Sequence, residues 1–244
     1  MNLTLLTSAL RSRLSAFLPA LLILQMITPL AAQPSPAPAT GKPAVLLAGL
    51  AEHVLGVEAA LKAVGMDAYR CELQTMPGQA RLGFSPAFPS LEGVHLVIMA
   101  DVPSRAFSPA DQLRISKFVE NGGRLLVFGG FYAFGPGGLK GSFLEDVLPV
   151  TTKRTFDRVR VSGELSQPGG SAKLGGCAWV HEVTVKKEAK ILWQADAKPG
   201  VVSWKFGKGE VIAITATVLG EPANPFWESP AWKDELARLL KPAA

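Results

Sequence analysis

Apolar positions follow two rhythms along this chain. Between residues 43 and 130, short and nearly uninterrupted apolar runs alternate with segments of helical spacing. "AVLLAG" (44–49), "HLVIMAD" (95–101) and "RLLVFGG" (124–130) are runs of the first kind. A strand covered on both faces reads this way, because neither face can carry polar side chains. "MDAYRCEL" (66–73) supplies another strand. Val54, Val57, Leu61 and Val64 recur at helical intervals, which predicts a helix over 53–65 that Gly65 stops. The next helix has sharper limits. Ser108 is a good N-cap, Pro109 suits the first helical position, Asp111 completes a capping box, and Asn121-Gly122-Gly123 ends the helix. Its expected buried stripe is Leu113, Phe118 and Val119. Strand–helix–strand units of this length force right-handed parallel crossovers and a sheet covered on both faces.

After residue 150 the rhythm becomes that of strands and turns. "VTTKRTFDRVRVSGE" and "CAWVHEVTVKKEAKILWQAD" are strand-rich, and "VVSWKFGKGEVIAITAT" reads as a hairpin turning at Gly207-Lys208-Gly209. "SPAWKDELARLL" (229–240) predicts a final helix capped by Ser229, with Trp232, Leu236, Leu239 and Leu240 on one face. The expectation is an α/β fold: a mostly parallel sheet with helices on both faces, followed by an antiparallel β section in the second half.

Composition changes the picture mainly at the N-terminus. Arg11 and Arg13 precede the apolar segment "LSAFLPALLILQMITPLAA", and "QPSPAPATGKP" follows it. This order predicts a secretory signal peptide or an uncleaved signal anchor over residues 1–32, then a Pro/Ala-rich linker over 33–42 and a folded domain over 43–241. The expected location is exported, periplasmic or extracellular, with anchoring by residues 14–32 as the alternative. Loss of Arg11 and Arg13 takes the formal net charge from +5 to +3, too mild a balance to imply a nucleic-acid partner. Cys71 and Cys177 can pair in an oxidising compartment or stand as two separate thiols.

The stretch "DVPSRAFSPADQLRISKFVENGGRLLVFGG", followed by "FGPGGLKGSFLEDVLPV", resembles the class I glutamine amidotransferase-like superfamily. The resemblance covers roughly residues 43–241 and is nearest to such domains in exported or membrane-attached bacterial proteins. It implies a flavodoxin-like sheet. It also implies a site: a Cys nucleophile on a strand-to-helix turn, Gly-x-Cys-x-Gly, activated by a downstream His that a Glu orients. The thiolate is the reactive species, and the turn aims backbone N–H groups at the oxyanion. Here Gly129-Gly130-Phe131-Tyr132-Ala133 occupies the turn. Phe131 stands where the thiol belongs, and Glu221 follows the late strand with no His beside it. Gly129, Gly130, Phe131 and Tyr132 therefore form a degenerate nucleophile elbow.

No catalytic residue is assigned, and no cofactor or metal is expected, since His53, His95 and His181 lack ligand spacing. Each His reads as a surface or capping residue, with His181 on a strand surface. Residues expected near the carboxyl edge of the sheet, and so candidates to line a pocket, are Glu52, His53, Asp101, Glu221 and Trp227. Trp179, Trp193 and Trp204 read as core, and Trp227 as the best candidate for an exposed ring. Three functions remain open. One is a non-catalytic domain binding a small molecule or an envelope protein. Another is a hydrolase of envelope sugars or peptides using Asp101, Glu221 or His53. The third is a structural module with an apolar patch at Phe226 and Trp227.

Overall fold

The computed structural model describes residues 44–49, 52–75, 82–85, 88 and 90–241. The expected N-terminal segment (1–32) and linker (33–42) lie outside these residues. Among the described residues no helix is long and apolar enough to cross a membrane.

The architecture is mixed α/β, built on one ten-stranded sheet. Its first half holds β1 (Ala44–Gly49), α1 (Glu52–Leu55), α2 (Val57–Ala63), β2 (Asp67–Thr75), β3 (Leu82–Ser85), β4 (Val94–Ala100), α3 (Pro109–Glu120) and β5 (Arg124–Phe128). Next come the short strands β6 (Val150–Thr152), β7 (Arg158–Arg160), β8 (Glu164–Ser166), β9 (Lys173–Gly176), β10 (Trp179–His181) and β11 (Val183–Val185). The chain closes with β12 (Lys190–Ala195), β13 (Lys198–Phe206), β14 (Gly209–Ile214) and α4 (Pro230–Leu240). The sheet order is β3-β2-β1-β4-β5-β14-β13-β12-β8-β9. The central run β2-β1-β4-β5-β14 is parallel throughout. Antiparallel pairs extend it on both sides.

The pleat sorts alternate residues of the central strands into two cores. Leu96, Ile98, Leu126, Phe128, Ile212 and Ile214 cluster with Leu61 of α2 and with Leu236, Leu239 and Leu240 of α4. Val97, Met99, Leu125, Val127, Val211 and Ala213 cluster with Ile115 and Val119 of α3. In β4, β5 and β14 continuous apolar runs are thus required, because both sides of these strands are buried.

Two helical expectations need correction. The predicted helix over 53–65 is broken at Gly56, whose φ of 69° is left-handed, and Val54 is exposed. In α3 the capping box at Ser108 and Asp111 forms as expected, but the buried residues are Gln112, Ile115 and Val119, while Leu113 is exposed. Gln112 sets this phase. Its Nε2 donates to the Ser104 carbonyl at 3.0 Å, and its Oε1 accepts the Phe143 N–H at 3.1 Å. A buried polar side chain with both ends bonded outweighs the burial of one Leu.

Arg124 ties the centre of the sheet to the last helix. Its guanidinium donates to the Leu239 and Leu240 carbonyls at 2.8 Å each and to Glu210 at 2.9 Å. These carbonyls end α4 and have no intrahelical partner. Arg124→Met strands two buried carbonyls and a carboxylate, and is expected to cost about 3 kcal/mol. The urea unfolding midpoint measures this, and an unchanged midpoint would contradict the assigned tie.

Candidate functional site

The elbow begins where β5 stops. Gly129 N–H donates to Ile214 O on β14 at 2.7 Å, and the chain then leaves the sheet. From residue 129 to 149 it runs in turns, with no helix before β6. The helix N-terminus that would assist a nucleophile is therefore missing, in keeping with the poor helix formers in "FGPGG".

Asp101 holds this turn. It follows the last residue of β4 with a left-handed φ of 62°, and it is 4 % exposed. Its Oδ2 accepts the Phe131 N–H at 2.9 Å, and its Oδ1 accepts the N–H groups of Tyr132 and Ala133 at 2.6 and 2.9 Å. Its own N–H donates to Phe128 O at 3.1 Å. Charge-assisted bonds of this kind are among the strongest available to a buried loop. Gly130 is required by the close approach: a Cβ there would fall 2.4 Å from Asp101 Oδ2.

The second support is His181, and here the reading of a strand surface fails. His181 and Asp157 are both fully buried. His181 Nδ1 lies 2.7 Å from Asp157 Oδ1, and Nε2 accepts the Gly130 N–H at 3.2 Å. Since Nε2 accepts, the ring proton sits on Nδ1 and is donated to Asp157. Asp157 Oδ2 in turn accepts the Gly135 N–H at 3.0 Å. His181 arrives at the sheet edge because β10 pairs with β7 and the segment crosses to the end of β14. Val180 bridges Ala216, and His181 N–H donates to Thr215 O at 2.9 Å. That crossing buries Val180 and His181 in succession, so period-2 alternation misplaces the imidazole. An Asp–His pair orients a base in nucleophilic enzymes, but here the third partner is a backbone N–H.

Glu221 and Trp227 are not among the groups that hold this turn. The backbone of Glu52 and His53 lies in α1, and their side chains lie outside the described residues. Glu221 borders a separate polar cleft of about 470 Å³, beside Cys177, Glu164 and Arg160. Trp227 is half-buried with its ring 5.2 Å from that of Phe226, which is fully buried, so no exposed apolar patch forms there. Asp101 is held by the elbow, while Glu221 faces another cleft. Among the described residues no group of three or more His, Cys, Asp or Glu could hold a metal.

The exposed aromatic surface is at the elbow itself. Phe131 and Tyr132 are 56 % and 40 % exposed, so Phe131 does not plug the edge. It borders a cavity of about 390 Å³ lined by Phe131, Phe156, Arg158, Trp179, Leu219 and Gly220. Trp179, expected in the core, is half-buried and faces this cavity. Phe156 and Arg158 escaped the sequence reading because "RTFDRVR" has strand composition and no motif.

No protein-family model and no curated protein matches the sequence. Solved structures do match. The cytoplasmic protein STM3548 from Salmonella typhimurium is similar with a TM-score of 0.62 at 17 % identity, over 81 % of this chain and 97 % of that one. The cytoplasmic protein STM1381 from Salmonella typhimurium LT2 gives 0.60 at 16 %, over 80 % and 95 %. A cold-adapted β-galactosidase from Rahnella sp. R3 gives 0.51 at 17 %, over 82 % of this chain and 31 % of that one. Identities this low show a shared fold.

Asn tolerates a left-handed backbone, so Asp101→Asn isolates the carboxylate's contribution. Its amide NH₂ would face an N–H donor, and a loss of about 2 kcal/mol is expected. That corresponds to a Tm lower by roughly 4–8 °C, read by thermal unfolding. Cys71 and Cys177 are free and buried, and burial pushes both thiols up to about 11. A raised pKa keeps them protonated until the pH approaches that value. Alkylation by iodoacetamide at pH 8 is expected to require unfolding; rapid labelling of the folded chain would contradict it.

Proposed function

We propose that the chain is an exported, non-catalytic domain of the class I glutamine amidotransferase-like type, which binds a ligand at the carboxyl edge of its sheet. The observation that carries this is the internal use of the elbow. The N–H groups of Gly130 to Ala133 bond to His181 and Asp101, and Phe131 stands at the nucleophile position. Donors that would polarise a substrate carbonyl are committed to the protein's own carboxylate.

The parallel order β2-β1-β4-β5-β14 supports a flavodoxin-like arrangement, whose ligands sit beyond the carboxyl ends of the strands. The two cores, one with α2 and α4 and the other with α3, support helices on both faces. Export rests on the order of basic, apolar and Pro/Ala-rich segments before residue 43. The aromatic cavity beside the elbow supports binding over chemistry.

Purified chain incubated with glutamine is expected to release no ammonia. Phe131→Cys alone is expected to release none either, because His181 Nε2 and the turn's donors remain engaged. Ammonia release by the parent chain that disappears on replacing Cys71 or Cys177 would overturn the proposal.

A further inference from the structure

The cavity beside the elbow has an uneven chemical character. Four of its six lining residues, Phe131, Phe156, Trp179 and Leu219, are apolar or aromatic, and Arg158 is its one charged residue. Phe156 is 77 % exposed, which is unusual for a side chain that gains so much from burial. The Arg158 guanidinium lies over the Phe131 ring, 5.1 Å from its centroid. It makes no ion pair or hydrogen bond with any other described residue.

The neighbouring chain offers it no counter-charge. Residues 150–161 carry Lys153, Arg154, Arg158 and Arg160 against a single acid, Asp157. Asp157 is buried and bonded to His181 and Gly135. Glu182, opposite, pairs with Lys153 and Arg154 at 3.6 and 3.4 Å. Arg158 is left as a cation packed on an aromatic face, and an Arg held this way keeps N–H groups available to a planar anion. A carboxylate accepts two of them in a bidentate pair.

We infer that this cavity binds a small carboxylate with an aromatic or flat apolar body, its carboxylate on Arg158 and its ring against Trp179 and Phe156. The volume of about 390 Å³ lies in the range of small-molecule sites. A polyphosphate chain needs several cations along one track, whereas one guanidinium faces this cavity and Arg160 borders the other cleft. A sugar needs several polar partners for its hydroxyl groups, and the apolar lining provides few. The assignment deepens the ligand-binding reading above and rests on it.

The test uses two probes of equal shape, 2-naphthoate and 2-naphthylmethanol, titrated into the full-length chain by calorimetry. The carboxylate is expected to bind at least about tenfold more tightly, in line with a hydrogen bond to a charged group. Arg158→Gln is expected to abolish that preference while leaving the alcohol's affinity within about twofold, and Trp179→Ala to weaken both probes. Equal affinities in the parent chain overturn the inference, as does a preference that survives Arg158→Gln or the absence of binding by either probe. If both probes bind equally and Trp179→Ala weakens both, the carboxylate assignment fails but ligand binding at this edge stands. Ammonia release tests the non-catalytic reading separately.

Discussion

A single carboxylate decides the shape of the sheet edge. When β5 ends at Phe128 the chain must turn away, and it does so with a run of backbone donors that the interior cannot leave unpaired. Asp101, one residue beyond the neighbouring strand, accepts three of them. The fourth, on Gly130, goes to His181, which is itself held by Asp157. These acceptors fix the backbone from which Phe131 and Tyr132 project. The aromatic wall of the cavity is therefore a consequence of an electrostatic arrangement beneath it.

This arrangement changes what an elbow of this kind does. The pairing of an imidazole with a carboxylate and the concave set of N–H groups are ingredients of acyl-transfer sites. In this chain they face inward and satisfy one another, while the outward surface is hydrocarbon with one guanidinium.

Much of the fold is legible in the sequence, because its causes are local. The apolar runs of β4 and β5 follow from two-sided burial, and Ser108, Pro109 and Asp111 mark the start of α3 without outside help. Leu113 is misplaced by pattern alone, since the helix phase depends on a bond from Gln112 to a loop 31 residues away. The site is less legible for the same reason. His181 ends the three-residue strand β10 and Asp157 stands 24 residues away, just before β7; the crossing of β10 onto β14 brings the imidazole to the elbow. Composition points to a strand surface there and says nothing of the cavity formed by Phe156, Arg158 and Trp179.

The place of β14 in the sheet has a consequence for the order of assembly. In the finished sheet β5 lies between β4 and β14, yet 80 residues separate the end of β5 from the start of β14. As the chain emerges from synthesis, β5 has only one neighbour, and the row of backbone N–H and C=O groups meant for its partner stays unpaired. Arg124, already in place, has neither Glu210 nor the end of α4 to receive it. The centre of the sheet thus closes late, on the most distant strand pairing among the described residues, and such non-local closure is slow. A nascent chain of this protein carries its least protected edge in its middle until nearly all of it has been made.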